Sequence, residues 1–424
     1  RYYCAAERLL SVAGDSNDPW FQKDRNGKKL RSQPYPLPPF EHTAADGPMI
    51  AAFEKNGMPF APMPVARYRR CMTTGTCKYC PIGARFLAAS IFDELVESKR
   101  HPNLHVQVRS PVSQLLMHGK NRIAGVGYLD TATGHTRKAF AERVIVCSGA
   151  YESPKLLLRS QSTHWPNGVG NTYEHVGRYL ISHPLLFVRG KTADNPHRLQ
   201  QELDFPTLMS RHYDNPDEQR DGKLFVYRER TRPRVDLAKH MIAGLERTAI
   251  ENIVKGPADW EIQGFMEEFA NENNRIQLGD GLNRLGLPQT RLRFHRAPGF
   301  TEASQRHLGR MRKILEDMNV VVNEVGVLSQ RGDHAAATCR MSMCEKTGVV
   351  DKNLRVHAVD NLYVCSNAVF PSGAAVNPTL TVTALSLRLA EHLASSFPAV
   401  QRAAAQQAAV RGAVQHVGAG QEGQ

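Results

Sequence analysis

Two short stretches of this sequence carry side chains that could move a proton beside a bound molecule. His334-Ala-Ala-Ala-Thr-Cys-Arg-Met341 offers an imidazole, whose ordinary pKa of about 6.5 suits a general base. Asn377-Pro-Thr-Leu-Thr381 offers a carboxamide just ahead of a helix, with Pro378 in its first turn. A helix start carries free N–H groups and a partial positive charge, which suit an anionic or electron-rich group. His334, with Asn377 as its partner, could therefore take a hydroxyl proton. While these residues stand alone, a hydrogen-bonded structural histidine and an N-cap asparagine are the favoured reading. His183-Pro184 could add a polar group near a substrate, yet a buried, satisfied core histidine is favoured there. Cys71, Cys77 and Cys80 form a third cluster, spaced C-x5-C-x2-C and followed by Pro81. Three thiolates this close could hold an iron–sulfur cluster, or be three small residues in a loop. Zinc is a weaker option because no histidine joins the set.

The elements that must position these groups follow from apolar periodicity. A helix is expected over 2–12 and another over 84–98, with Phe86, Leu87, Ile91 and Leu95 on one face. Alternating residues predict strands over 104–108 and 123–129, flanking a turn at Gly119–Asn121. Arg143-Val-Ile-Val-Cys-Ser-Gly-Ala150 reads as a buried parallel strand ending in a small-residue turn. A helix over 154–160 should follow, with Pro154 in its first turn. Such a strand–turn–helix unit meets ligands at the strand's carboxyl end. Short strands over 224–227, 261–268 and 275–278, and a helix over 303–318, predict an antiparallel sheet with helices. The chain then returns to a strand at 361–365 and a helix at 380–393.

Composition narrows the class. The chain has 424 residues, 41% hydrophobic and 22% charged, which excludes a fibrous or wholly disordered chain. No apolar run reaches the length of a membrane span. The net charge of +13 is spread without an arginine-rich block, so a solvated basic surface is expected and no nucleic-acid partner. Residue 1 is Arg, which reads as a fragment or processed product, and 398–424 reads as a disordered tail.

Three stretches together resemble the glucose–methanol–choline family of flavin oxidoreductases. They are Cys147-Ser-Gly-Ala-Tyr-Glu-Ser-Pro-Lys-Leu-Leu-Leu-Arg-Ser160, the His334–Met341 stretch, and Asn361-Leu-Tyr-Val-Cys-Ser-Asn-Ala-Val-Phe-Pro371 with Asn377–Thr381. They keep the family's order and approximate separation, and the resemblance covers about residues 60–396. It implies hydride transfer from a CH–OH carbon of an alcohol or sugar to the N5 atom of FAD. His334 would be the base and Asn377 would hold the substrate oxygen. Ser148, Gly149 and Ala150, with Ser366 and Asn367, would lie by the cofactor. Pro378 and Thr379, at the last helix's start, would stabilise the reduced ring.

The sequence departs from the family in places. The motif's Gly is Ala337, an acidic residue after the last strand is replaced by Ser366, and the Gly after Ser160 is Gln161. No strand–Gly-x-Gly-x-x-Gly–helix unit stands ahead of these motifs, so the first βαβ unit is expected to be missing. Similar bacterial sugar dehydrogenases carry a three-iron cluster on a Cys-rich stretch ending as Cys80-Pro-Ile-Gly-Ala84 does.

The implied architecture is α/β plus α+β. A doubly wound FAD-binding domain, incomplete at its N-terminus, spans 1–184 and 331–397, with an antiparallel substrate domain inserted over 185–330. A small-molecule alcohol or sugar and an electron-accepting protein, such as a cytochrome subunit, are the expected partners. An oxygen-using oxidase, or a non-catalytic fragment that no longer binds FAD, stands as the alternative.

Overall fold

A computed structural model describes residues 1–18, 31–42, 46–67, 83–97, 101–193, 208–210, 223–227, 242–249, 257, 259–328 and 331–396. Helices run over Tyr2–Leu10 (α1), Gly47–Lys55 (α2), Ala88–Glu97 (α3), Gly149–Arg159 (α4), Phe300–Asp317 (α5) and Thr379–Ser395 (α6). The first strands are Val12–Ala13 (β1), Ala61–Pro62 (β2), Val65–Ala66 (β3), Val112–His118 (β4), Arg122–Leu129 (β5), Thr136–Phe140 (β6) and Val144–Val146 (β7). Then come Leu185–Lys191 (β8), Leu208–Ser210 (β9), Lys223–Tyr227 (β10), Asp259–Phe265 (β11), Arg275–Leu282 (β12), Pro288–Arg293 (β13), Val321–Leu328 (β14) and Leu362–Val364 (β15).

Two layers matter for the site. The first is built on the parallel pair β7–β15, with Val144, Ile145 and Val146 opposite Leu362, Tyr363 and Val364. Its core gathers Val146, Leu156, Leu157, Ile181, Val350, Val364 and Leu389. The second is a six-stranded sheet in the order β14-β8-β11-β10-β9-β2. Every pairing in that sheet is antiparallel. Helix α5 covers it with Ser304, His307, Met311, Ile314 and Leu315, residues three or four apart that share one face. Helix α2 adds Met49 and Phe53 to the same core. The sheet thus draws β2 from outside 185–330, and the β12–β13 hairpin forms a separate ribbon.

Several sequence expectations are corrected. The turn at Gly119–Asn121 joins β4 to β5, and residues 104–108 belong to no strand. Leu104, Val106 and Val108 are all exposed, so alternation alone did not buy a sheet partner for them. Helix α3 is amphipathic yet has no buried residue; Phe92, Leu95 and Val96 are 36–47% exposed. The apolar strand β7 is buried only at Val146.

Pro154 lies inside α4, not in its first turn. A proline there cannot donate to the carbonyl four residues back, that of Ala150. Thr338 Oγ1 donates to that carbonyl at 2.6 Å instead. The helix break becomes a tie between α4 and the segment that carries His334.

Candidate active site

The His334 segment is held from three sides. Ala336 exchanges both backbone hydrogen bonds with Ile181, at 3.0 and 3.2 Å. On the other side the Ala337, Cys339 and Met341 N–H groups donate to the carbonyls of Asn367, Ala368 and Val369. Thr338 supplies the third tie. Ala337 has φ of 72°, a left-handed conformation that explains why glycine suits this position.

This frame sets two imidazoles against each other. His334 is 9% exposed and His183 2% exposed. Their Nδ1 atoms are 3.1 Å apart, with the rings edge-on at 5.2 Å between centroids. His183 Nε2 lies 3.1 Å from the carbonyl oxygen of Gly373. A carbonyl can only accept, so His183 carries its proton on Nε2. Its Nδ1 is then an acceptor, and His334 must donate from its own Nδ1. The remaining nitrogen, His334 Nε2, then carries a lone pair, with Asp333 Oδ2 3.9 Å away.

That chain requires His183 to be neutral. Burial, reinforced by the neighbouring His334, pushes its pKa down to about 4. Burial and the Arg331 guanidinium also lower that of His334, against the pull of Asp333. Burial takes His307, in the second core, down to about 3. Unfolded, such histidines protonate at about 6.5. Their contribution to stability is therefore complete above about pH 6.5 and is lost as pH falls through that range toward 4. Thermal unfolding should show Tm falling steadily from about pH 7 to about pH 4.5. A constant Tm over that range would contradict the neutral pair.

The second layer reaches this point through Phe265, the last residue of β11, whose ring centroid is 5.2 Å from that of His334. The Arg331 guanidinium lies 5.1 Å over the Phe265 ring, and its Nε donates to Asp333 Oδ1 at 3.0 Å. Arg331 Nη1 is buried without a hydrogen-bond partner among the described residues. Ser182 Oγ donates to the Arg331 carbonyl at 2.6 Å, which fixes the start of the His334 segment beside His183.

Asn377 is exposed at the end of the loop that carries Gly373, just before α6. No hydrogen bond joins it to His334; the two stretches meet through His183 and the Gly373 carbonyl. His183 is buried with both ring nitrogens partnered, as expected of a satisfied core histidine, and it also touches the candidate base. No spacing marks it in the sequence, and none marks Phe265 or Arg331. A cavity of about 310 Å³, lined by Asn171, Arg178, Arg275 and Leu278 among others, contains none of these residues.

Of the residues expected to hold FAD, Ser148, Gly149 and Ala150 follow β7, Ser366 and Asn367 follow β15, and Pro378 and Thr379 open α6. Ser148 precedes α4 and Pro378 precedes α6, and neither helix start has a side-chain cap. Both therefore present N–H groups to a ligand. Gly149 has φ of 75°, and a Cβ built there would meet nothing within 4 Å. Thr379 is exposed, while Ser366 is buried and accepts from the Ala368 N–H. Uncapped N–H groups beside an open glycine fit an anionic cofactor.

Cys71, Cys77 and Cys80 lie outside the described residues, and the iron–sulfur expectation gains no support. Among the described residues no group of three or more His, Cys, Asp or Glu could hold a metal. No described helix is long and apolar enough to cross a membrane.

Comparison with known proteins gives the family. Two family models described as GMC oxidoreductase match, one over residues 39–185 and one over residues 270–386. The chain is 26% identical over 414 residues to 6'''-hydroxyparomomycin C oxidase of Streptomyces lividus, covering 94% of this chain and 71% of that protein. It is 24% identical to the fructose dehydrogenase large subunit of Gluconobacter japonicus, covering 92% and 72%. Pyridoxine 4-oxidase from Mesorbium loti has a similar solved structure, with a TM-score of 0.58, 18% identity, and coverage of 93% and 81%. A formate oxidase variant of Aspergillus oryzae RIB40 gives a TM-score of 0.60 at 15% identity, covering 91% and 77%. The chain belongs to the GMC oxidoreductase family, whose members are FAD-dependent oxidoreductases acting on CH–OH groups.

Proposed function

We propose that this protein oxidises a CH–OH group of an alcohol or sugar, with His334 as the base that takes the hydroxyl proton. The observation that carries this reading is the contact of His183 with both His334 Nδ1 and the Gly373 carbonyl, from which a lone pair on His334 Nε2 follows. Bound FAD would supply the hydride acceptor, held by residues 148–150 and 366–367 and by the start of α6. His334 Nε2 accepts the hydroxyl proton as the carbon is oxidised. His183 stabilises the imidazolium that results, because its Nδ1 accepts from His334 Nδ1. Asn377 orients the substrate oxygen from the loop end. Phe265 and the buried pair of rings keep water from the proton's path, which strengthens each polar contact there. The unpartnered Arg331 Nη1 is a donor available to a substrate oxygen.

The names of the relatives, a hydroxyparomomycin oxidase and a fructose dehydrogenase, support a polyhydroxylated substrate. The words "large subunit" in the second support an electron-accepting partner protein.

His183 is a positioning residue in this scheme, and it provides the test. His183→Leu should lower kcat by about 10- to 100-fold, the range for a lost supporting hydrogen bond. His183→Asn, whose amide oxygen can accept from His334 Nδ1, should recover part of that loss. Steady-state kinetics of both variants with a panel of sugars and alcohols checks this. Equal losses in the two variants would refute the proton chain. A flavin-loaded protein that no CH–OH compound reduces would refute the function.

A further inference from the structure

Val146 of β7 stands opposite Val364 of β15, so the next residues, Cys147 and Cys365, emerge side by side. The Cys365 N–H donates to the Val146 carbonyl at 2.9 Å, which keeps the two chain ends together past the last strand pair. The Cys365 sulfur lies 3.2 Å from Ser386 Oγ, on the helix packed beside the strand ends. Neither cysteine is bridged; Cys147 is exposed and Cys365 buried. Neighbouring strands lie about 4.8 Å apart, inside the range of about 4.4–6.8 Å between Cα atoms that a disulfide spans.

We propose that Cys147 and Cys365 form a redox-active dithiol at the carboxyl ends of the two parallel strands, oxidised to an intrachain disulfide by a peroxide. Nothing in the reaction assigned to His334 uses these thiols, so the proposal stands apart from that reading.

The chemistry of the pair suits the step. Hydrogen bonds from Cys147 and from Ser386 draw the Cys365 pKa down to about 6, against burial. The same thiol contact, with burial, pushes Cys147 up. One proton therefore leaves readily near neutral pH, and the other is shared between the sulfurs. Peroxide enters past the exposed Cys147, and the Cys365 thiolate attacks one oxygen. The O–O bond breaks, a sulfenic acid forms on Cys365 and the first water leaves with the proton that Cys365 gave up. The Cys147 sulfur then attacks the Cys365 sulfur; the S–S bond forms, the S–O bond breaks and a second water leaves with the Cys147 proton. Two electrons pass from the sulfurs to hydrogen peroxide, and the two thiol protons end in the two waters. Ser148 and Ser366 directly follow the cysteines, so the new bond would draw together the two turns that fit the cofactor.

Cys339 is an internal control. It is fully buried, and burial alone pushes its pKa up, so it should stay reduced. The test uses the full chain, reduced, freed of reductant and treated with equimolar hydrogen peroxide. Remaining thiols are then alkylated and the non-reduced digest is mapped by mass spectrometry. The expected result is a Cys147–Cys365 crosslinked peptide, lighter by two hydrogens than its two parts and split by dithiothreitol. Cys339 should be recovered alkylated. Cys147→Ser and Cys365→Ser should each abolish the crosslink. Cys147 recovered as sulfinic or sulfonic acid with Cys365 still alkylated would overturn the proposal. Recovery of both as alkylated thiols would overturn it equally. The wild-type map decides the matter even if a serine variant folds poorly.

Discussion

Replacing His334 with alanine should lower turnover by about 10²- to 10⁴-fold, the span supplied by a positioned general base. The loss should be this large because no other group can stand in. The His183 ring is adjacent, but its Nδ1 accepts from His334 and its Nε2 faces the Gly373 carbonyl. With His334 gone, His183 would have to rotate out of a buried slot to reach a hydroxyl. Flavin content should be unchanged, because the residues that fit the cofactor lie on the turns after β7 and β15. Stopped-flow reduction of the bound flavin by substrate separates the proton step from product release. A loss smaller than tenfold would rule His334 out as the base. The pH profile gives a second readout. A base works only when unprotonated, and burial with Arg331 holds the His334 pKa below the ordinary imidazole value. Activity should therefore persist to lower pH than an exposed histidine would allow. Arg331→Gln removes the guanidinium's share, so the acid limb should move toward higher pH.

The second large effect concerns stability. Arg296 and Glu268 form an ion pair with side chains only 13% and 3% exposed. Arg296 Nη1 also donates to the Ser182 carbonyl at 2.9 Å, and its guanidinium lies 4.7 and 5.0 Å over the rings of Phe294 and Phe300. Burial raises the Glu268 pKa even with the arginine beside it. Arg296→Leu would leave a buried carboxyl without its cation, a change that costs about 3–5 kcal/mol. The double variant Arg296→Leu, Glu268→Leu should regain most of that, since desolvation of the lone carboxylate is the larger part of the cost. Urea unfolding of the three proteins checks both statements. A single-variant cost under about 1 kcal/mol would show that the pair is not a buried tie. Because Ser182 precedes His183, the single variant should also impair turnover.

What the sequence reveals is uneven, for physical reasons. The turns after Val146 and Val364 are legible because apolar runs ending in small residues can hardly be anything else. The helix starting near Pro378 is legible from its proline. His334 and Asn377 are legible only together, through the order of three motifs; each alone is an ordinary polar residue. The strand β4 is missed because Leu104–Val108 alternates as a strand does while its partner belongs to Val112–His118. Pro154 is misplaced because a proline inside a helix is tolerable only when something else satisfies the freed carbonyl. Here that donor is Thr338, 184 residues further on. His183 is the plainest case. Its chemistry comes from a nitrogen–nitrogen contact and a backbone carbonyl, and neither leaves a mark in residue spacing.

The Gly373 carbonyl deserves a designer's caution. It is the anchor of the whole imidazole relay, and no codon change can delete a peptide oxygen. It can only be displaced. An ideal Cβ at this position would come within 2.8 Å of His183 Nε2, so even alanine would crowd the ring. Libraries that reshape the segment ahead of Asn377 to admit new substrates will therefore retune the proton acceptor as well. Selectivity and basicity are inherited together in this fold, and separating them calls for changes on the opposite wall, around Phe265.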